Sequence, residues 1–227
     1  MIVHSPHPWN VTYKEAIKIQ EKLREQLIFD LPFNRPKTVA GMDVSVSRKS
    51  TLGWAAVVVL SYPQLQVIEE TWAKGKIDFP YIPGLLSFRE IPLLTEALRE
   101  LKTQPDVFMC DGQGIAHPRQ MGLACHIGII IKRPTIGCAK TRLVGEYSEP
   151  APEKGQHAFL LHEGKVVGAV LRTRAGTKPV FVSPGYGLSL QNAIEVVLSC
   201  CTKYRIPEPI RAAHRLVNQL RKDQGGG

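Results

Sequence analysis

Asp43 interrupts the apolar run VAGMDVSV at residues 39–46. Side chains alternate between faces along a strand, so Val39, Gly41, Asp43 and Ser45 share one face and Ala40, Met42, Val44 and Val46 the other. A carboxylate placed there is expensive to bury unless it is paired or coordinates a cation; an exposed edge-strand aspartate is the ordinary alternative. Asp111 closes the apolar run VFMC and opens DGQG. Open α/β sheets gather ligands at such carboxyl ends, although Asp-Gly is also a common turn. Glu90 follows Ser87 at capping-box spacing, and on local pattern alone it is a helix cap. As a set, two strand-borne aspartates and a helix-borne glutamate are hard oxygen ligands suited to Mg²⁺ or Mn²⁺. Two such ions can activate water and stabilise the leaving oxygen of a phosphodiester.

His214 lies in PEPIRAAHRLVN, where Ile210, Ala213, His214 and Val217 fall on one helical stripe. The ordinary reading is a core histidine with a satisfied hydrogen bond. Arg211 and Arg215 stand one turn apart on a neighbouring face, either as cations for phosphate oxygens or as a solvated basic face.

The elements that must position these residues can be read from periodicity. Thr12 and Glu15 form a capping-box pattern, followed by Ala16, Ile19, Leu23 and Leu27 at helical spacing. Three strand-like runs at 38–46, 53–60 and 66–73 read as an antiparallel meander. A segment rich in Gly, Pro and aromatics at 75–87 precedes a helix at 88–101 and a buried strand at 107–110. A helix at 118–130 and a strand at 135–139 continue the alternation. Strands at 158–161, 165–173 and 180–182 then lead to helices at 189–203 and 208–221. The expectation is one α/β domain over residues 1–227 with a mixed sheet flanked by helices, and a flexible tail from about residue 222.

With 29 Lys+Arg against 20 Asp+Glu, the formal charge of +9 favours a polyanionic partner, because neutralising phosphates releases counterions. Five cysteines, an odd number that includes the adjacent Cys200 and Cys201, do not make the framework of a small secreted domain and fit a reducing cytoplasm. No apolar stretch is long enough for a bilayer, and no export signal is visible.

Six blocks occur in order along the chain: VAGMDVSVS at 39–47, FPYIPGLLSFRE at 79–90, PDVFMCDGQGIAHPRQMGLACHIG at 105–128, PTIGCAKTRLVG at 134–145, FVSPG at 181–185 and RIPEPIRAAHRL at 205–216. Together they closely resemble the endonuclease V family. The resemblance implies a ribonuclease H-like sheet, Mg²⁺ dependence with Mn²⁺ as a substitute, and cleavage on the 3′ side of deoxyinosine or related deaminated bases. It makes Asp43, Glu90 and Asp111 the catalytic carboxylates and puts His214 near the metal. Tyr81 matches the family's wedge, which fills the space of the displaced base. Gly84, Leu86, Gly112 and Gly114 match the base pocket, His117 a lesion contact, and Lys140 a phosphate contact. On local pattern Tyr81 reads as a partly buried aromatic, and Lys140 as a surface lysine.

The chain departs from the family pattern at Cys125, where serine is common, at Cys138, where an aliphatic residue is usual, and at Tyr186-Gly187, where histidine often follows SPG. The expected partner is DNA carrying a deaminated base, with inosine-containing RNA as the enzymatic alternative and a non-catalytic nucleic-acid-binding protein as the other class. A cytoplasmic monomer is expected.

Overall fold

A computed structural model describes residues 1–47 and 49–224. Eight strands form one sheet in the order β3-β2-β1-β4-β5-β8-β7-β6. β1 (Thr38–Val46), β2 (Leu52–Ser61) and β3 (Val67–Lys76) make the expected antiparallel meander. β4 (Val107–Cys110) and β5 (Thr135–Ala139) lie parallel to β1, as short all-buried strands between helices should. β6 (His157–His162), β7 (Lys165–Leu171) and β8 (Val180–Tyr186) complete the sheet with antiparallel pairings. The helices are α1 (Tyr13–Arg24), α2 (Leu86–Arg99), α3 (Leu123–Ile131), α4 (Leu190–Ser199) and α5 (Glu208–Asp223). The mixed sheet flanked by helices is the class expected from the sequence. No helix among the described residues is long and apolar enough to cross a membrane.

Period-two alternation decides which helix meets which face. Val39, Val58, Val107, Met109 and Ile136 pack with Ile194, Val197, Ile210 and Ala213 of α4 and α5. Ala40, Met42, Val57, Val59 and Phe108 pack with Ile91, Leu94, Leu98, Ile127 and Ile130 of α2 and α3. Asp43 therefore faces α5, as its place in the run requires.

Three local expectations change. Glu90 is not a cap: α2 starts at Leu86, its N-cap Leu85 makes no side-chain bond, and the buried Ser87 hydroxyl has no protein partner. The turn that would put Ser87 at the cap is already helical. α3 begins at Leu123 rather than near residue 118, because Gln120 adopts a left-handed backbone with φ 52°. β8 continues through Pro184 to Tyr186, since β7 pairs only with Val180–Val182 and the β5 register shifts at Thr135/Ile136. A proline is tolerated where a bulge and a missing neighbour relax the ladder. Residues 222 and 223, placed at the start of the expected tail, belong to α5, which runs to Asp223; residues 225–227 lie outside the described residues.

The segment before α1 is held by aromatic packing. His7 and Trp9 pack with Phe88 of α2 and His126 of α3. His7 Nδ1 lies 2.7 Å from the Pro8 carbonyl, and His7 Nε2 lies 2.7 Å from His126 Nε2. The Pro8 carbonyl can only accept, so His7 donates through Nδ1; with His7 neutral, His126 donates through Nε2. Burial lowers the pKa of both, and that of His126 well below its usual value. Burial also lowers His117, to about 4. Groups that stay neutral in the fold but charge in the unfolded chain stabilise the fold fully above about pH 6.5, and this stability is lost as pH falls. Between about pH 6.5 and its folded pKa of about 4, His117 should take away up to about 1.4 kcal/mol per pH unit, and His126 acts in the same direction. Melting temperature followed from pH 8 to pH 5 should fall below pH 6.5. In His126→Gln, which no longer titrates, the decline should be shallower whatever the starting stability; an unchanged slope would remove His126 from the account.

Candidate active site

In the parallel register of β1 and β4, Met42 lies beside Cys110. Asp43 and Asp111 are the next residue of each strand, so both carboxylates emerge together at the carboxyl edge of the sheet. Lys140 follows β5, the parallel neighbour of β4, and its ammonium pairs with Asp111.

α5 runs alongside β1 with a matched step. Pro209 meets Gly41, His214 meets Asp43 and Asn218 meets Ser45. Two strand residues advance about 6.6 Å and four helix residues about 6 Å, so contacts spaced by two and by roughly four stay aligned. The close approach needs Gly41, because a Cβ there would lie 1.9 Å from the Pro209 carbonyl oxygen. His214 Nδ1 donates to Asp43 Oδ2 at 2.7 Å. Asn218 Nδ2 donates to His214 Nε2 at 3.1 Å, and Ser45 donates to Asn218 Oδ1 at 3.3 Å. This chain fixes the ring orientation. His214 has a side-chain exposure of 55%, so it keeps an open face and is not a core histidine. Arg211 stacks 3.3 Å over Tyr204 and bonds Glu208, while Arg215 lies 3.8 Å from the same carboxylate. Glu208 thus offsets part of the charge of that basic pair.

Glu90 reaches the same region from the second turn of α2. Burial, then the charges of Asp43 and Asp111, push its carboxyl up to about 8. Burial also raises Asp43; the His214 hydrogen bond pulls it back, and Asp111 adds a further upward push. The three carboxylates therefore form one repelling cluster with two cationic or hydrogen-bonding neighbours. Among the described residues, no group of three or more His, Cys, Asp or Glu side chains is already closed to metal-binding geometry.

Beside this cluster lies a cavity of about 290 Å³, lined by Tyr81, Gly84, Leu86, Asp111, Gly112, His117 and Lys140 together with Gln113, Ser87 and the 139–143 segment. Tyr81 is 69% exposed at this site, so the partly buried aromatic of local pattern does not describe it. Gly84 has φ 80°, and its carbonyl accepts from Gln20 Nε2 at 3.0 Å, from His117 Nε2 at 2.9 Å and from Arg119 at 2.7 Å. Gln20 also accepts from Arg119 Nε at 2.6 Å and donates to Met121 O at 3.1 Å. The backbone N–H of Arg119 donates to His117 Nδ1 at 3.2 Å, so both ring nitrogens of His117 are engaged within the protein. This network ties the Tyr81 loop to α1.

Gly114 lies apart from the cavity lining: its nitrogen donates to Ser183 at 2.8 Å, and a Cβ would meet the Pro184 carbonyl at 2.0 Å. Cys125, Cys138 and Tyr186 are buried and also lie outside the lining. All five cysteines are free.

The Endonuclease V family model matches residues 21–215, which run from the last turn of α1 to just past His214 and include every site residue named above except Gln20 and Asn218. The chain belongs to the endonuclease V family. An endonuclease V from Nostoc sp. is 51% identical over 219 residues, covering 96% of this chain and 99% of that protein. The crystal structure of endonuclease V from Streptomyces avermitilis is 41% identical, with a TM-score of 0.92 over 99% of this chain and 100% of that one. Endonuclease V from Ciona intestinalis, solved with a 24mer DNA containing an inosine followed by a ribo-adenosine, is 31% identical, with a TM-score of 0.82 over 93% of this chain and 98% of that one. Membership of the endonuclease V family makes the protein a nuclease. Sequence reasoning has no handle on Gln20, Arg119, Gln113 or Ser45 as parts of the site, because each acts through a partner distant in the chain; Asn218 stands one turn from His214 but has no mark of its own beside it.

Proposed function

We propose that this member of the endonuclease V family hydrolyses the phosphodiester on the 3′ side of a deaminated base, above all deoxyinosine, in a divalent-cation-dependent reaction that leaves the base in place. The observation that carries the reading is the junction of a base-sized cavity and a carboxylate cluster at Asp111, which belongs to both. The donor set fits a hard dication: all three side chains offer oxygen, and the upward push on Glu90, from burial first and then from the charges of Asp43 and Asp111, is one that added positive charge relieves. Asp43, Glu90 and Asp111 would hold Mg²⁺ or Mn²⁺, which supplies activation of water and stabilisation of the leaving oxygen.

The chain's own residues account for the remaining tasks. Tyr81 offers an exposed ring to the space left by a displaced base, which offsets part of an unstacking cost of about a few kcal/mol. Gly84, Leu86 and Gly112 shape the cavity, and His117 holds the Gly84 carbonyl from behind. Gly114, outside the lining, acts by letting the loop after Asp111 pack closely on β8. Lys140 places an ammonium beside Asp111 within reach of a phosphate. His214 orients Asp43 and keeps one face open to solvent.

The deciding experiment compares matched DNA and RNA strands carrying inosine, uracil, an abasic site or no lesion, with Mg²⁺, Mn²⁺ or chelator, and maps each nick. Nicking 3′ to inosine only with the cation is expected; tight binding without nicking would make this a binding protein. A second reading is favoured by the inosine followed by a ribo-adenosine bound to the Ciona protein: inosine-containing RNA as substrate. A strong preference for a ribonucleotide beside inosine would select it.

Tyr81→Ala tests the wedge. Base stacking contributes roughly 1–3 kcal/mol, so affinity for inosine duplex in Ca²⁺ should fall about tenfold or more. Undamaged duplex should lose much less, and Tyr81→Phe should stay near wild type. Equal losses on both duplexes would indicate general contact instead.

A further inference from the structure

Gln113 lines the cavity, and the two ends of its amide have different fates. Its Nε2 donates to the Thr141 carbonyl at 3.0 Å. That bond fixes which end of the amide is oxygen, and the opposite atom, Oε1, is buried with no hydrogen-bond partner in the protein. The residue is only 8% exposed and lines the cavity. An amide oxygen can only accept hydrogen bonds, and a buried acceptor left unpaired is unfavourable by about 1–3 kcal/mol. This acceptor belongs to a residue of the cavity wall, where an N–H brought by a ligand would satisfy it.

Ser87 carries a second buried oxygen without a protein partner in the same cavity, at 2% exposure. A hydroxyl can turn to donate or to accept, so it adapts to whatever edge the ligand shows. Gln113 Oε1 cannot adapt. Discrimination rests on it.

We infer that Gln113 is a specificity-determining residue whose Oε1 accepts the ring N–H that deamination creates. This inference rests on the proposed function. Deamination of adenine replaces the 6-amino group by a carbonyl and puts a proton on N1. The 1-position, a lone pair in adenine, becomes a donor in hypoxanthine. Opposite a fixed acceptor, hypoxanthine gains a hydrogen bond where adenine sets two lone pairs against each other. A site built to bond such a group rejects analogues that lack it, because its own polar atom is then left unpaired. The ligand class is a base with a lactam N–H that its parent lacks, as in hypoxanthine from adenine and uracil from cytosine.

The test uses full-length protein, wild type and Gln113→Met, which keeps length and removes the acceptor. Gln113→Asn serves as a second variant that retains an amide but withdraws it by one methylene. Single-turnover nicking in Mg²⁺ and binding in Ca²⁺ are measured on duplexes carrying inosine, unsubstituted purine, which has neither the N1 proton nor the 6-oxygen, or an abasic site. Both variants should lose roughly ten- to a hundredfold on inosine and stay within about threefold of wild type on the other two. Equal losses on all three duplexes would overturn the inference and leave Gln113 as a strut for Thr141. So would an undiminished rate and affinity on inosine. Wild-type protein that nicks inosine strands no better than undamaged ones would overturn the proposed function itself, a failure visible in the wild-type arm alone.

Discussion

Asp43→Asn and Asp111→Asn should each lower cleavage by several orders of magnitude while the protein stays folded. An amide keeps the shape of the carboxylate but removes the charge that a hard cation requires. The stability outcome has a definite sign for Asp43. Its carboxyl is pushed up by burial and by Asp111 against the pull of the His214 hydrogen bond, so holding the ionised form costs more in the fold than in the unfolded chain. Asn removes that penalty, and its side-chain oxygen can still accept from His214. Melting temperature should hold or rise as activity disappears, the trade expected of a site that stores electrostatic strain. Glu90→Gln should behave in the same way, since no cap depends on the glutamate. The measurements are single-turnover nicking of an inosine duplex in Mg²⁺, binding in Ca²⁺ and thermal unfolding. Near-wild-type nicking by a folded mutant would remove that residue from the proposed cation site.

Gly41→Ala should cause the next largest loss, from a residue with no chemistry of its own. The added methyl would sit 1.9 Å from the Pro209 carbonyl oxygen and 2.1 Å from its carbon. Backbone on both sides leaves no side chain to swing away, so α5 must shift from β1. Overpacking of this kind typically lowers stability by about 1–3 kcal/mol, or roughly 2–4 °C per kcal/mol for a chain of this size. Activity should fall further than the loss of folded protein explains, because His214 and Asn218 ride on the displaced helix. Gly75→Ala provides the comparison: its nearest neighbour is a Leu93 side-chain atom at 3.1 Å, which can move. Similar behaviour of the two variants would show that the β1–α5 approach does not set the site.

The two aspartates are legible in the sequence because strand alternation and strand ends are local rules. Alternation puts Asp43 on the face of Val39, Gly41 and Ser45, and that face meets α5. Glu90 misleads at short range, since Ser87-x-x-Glu90 satisfies a capping pattern that α2 does not use. Its environment is made by β1 and β4, far off in sequence. Periodicity puts His214 on the right helix, but its helical stripe argues for burial; the stripe's end lies at the sheet edge, where the packing opens. The hydrogen bonds around Gly84 join residues as much as 101 positions apart. No periodicity announces such pairs. The long extent of β8 is also hidden, because Pro184 reads as a strand breaker until the bulge and the shorter β7 are known.

The paired stepping of β1 and α5 gives the chain an uneven tolerance to changes in length. Deleting or inserting one residue before Asp43 within β1 would turn the carboxylate to the α2 side and expose the α5 contacts to the wrong side chains. A one-residue change in α5 between Pro209 and His214 would rotate the imidazole by about 100°. The turn at Glu163 and Gly164 between β6 and β7 carries no such phase relation, and nothing lies within 4 Å of a Cβ at Gly164. Length variation and inserted peptides should therefore be accommodated at that far edge of the sheet, while β1 and the first half of α5 admit substitutions but not changes in reading length.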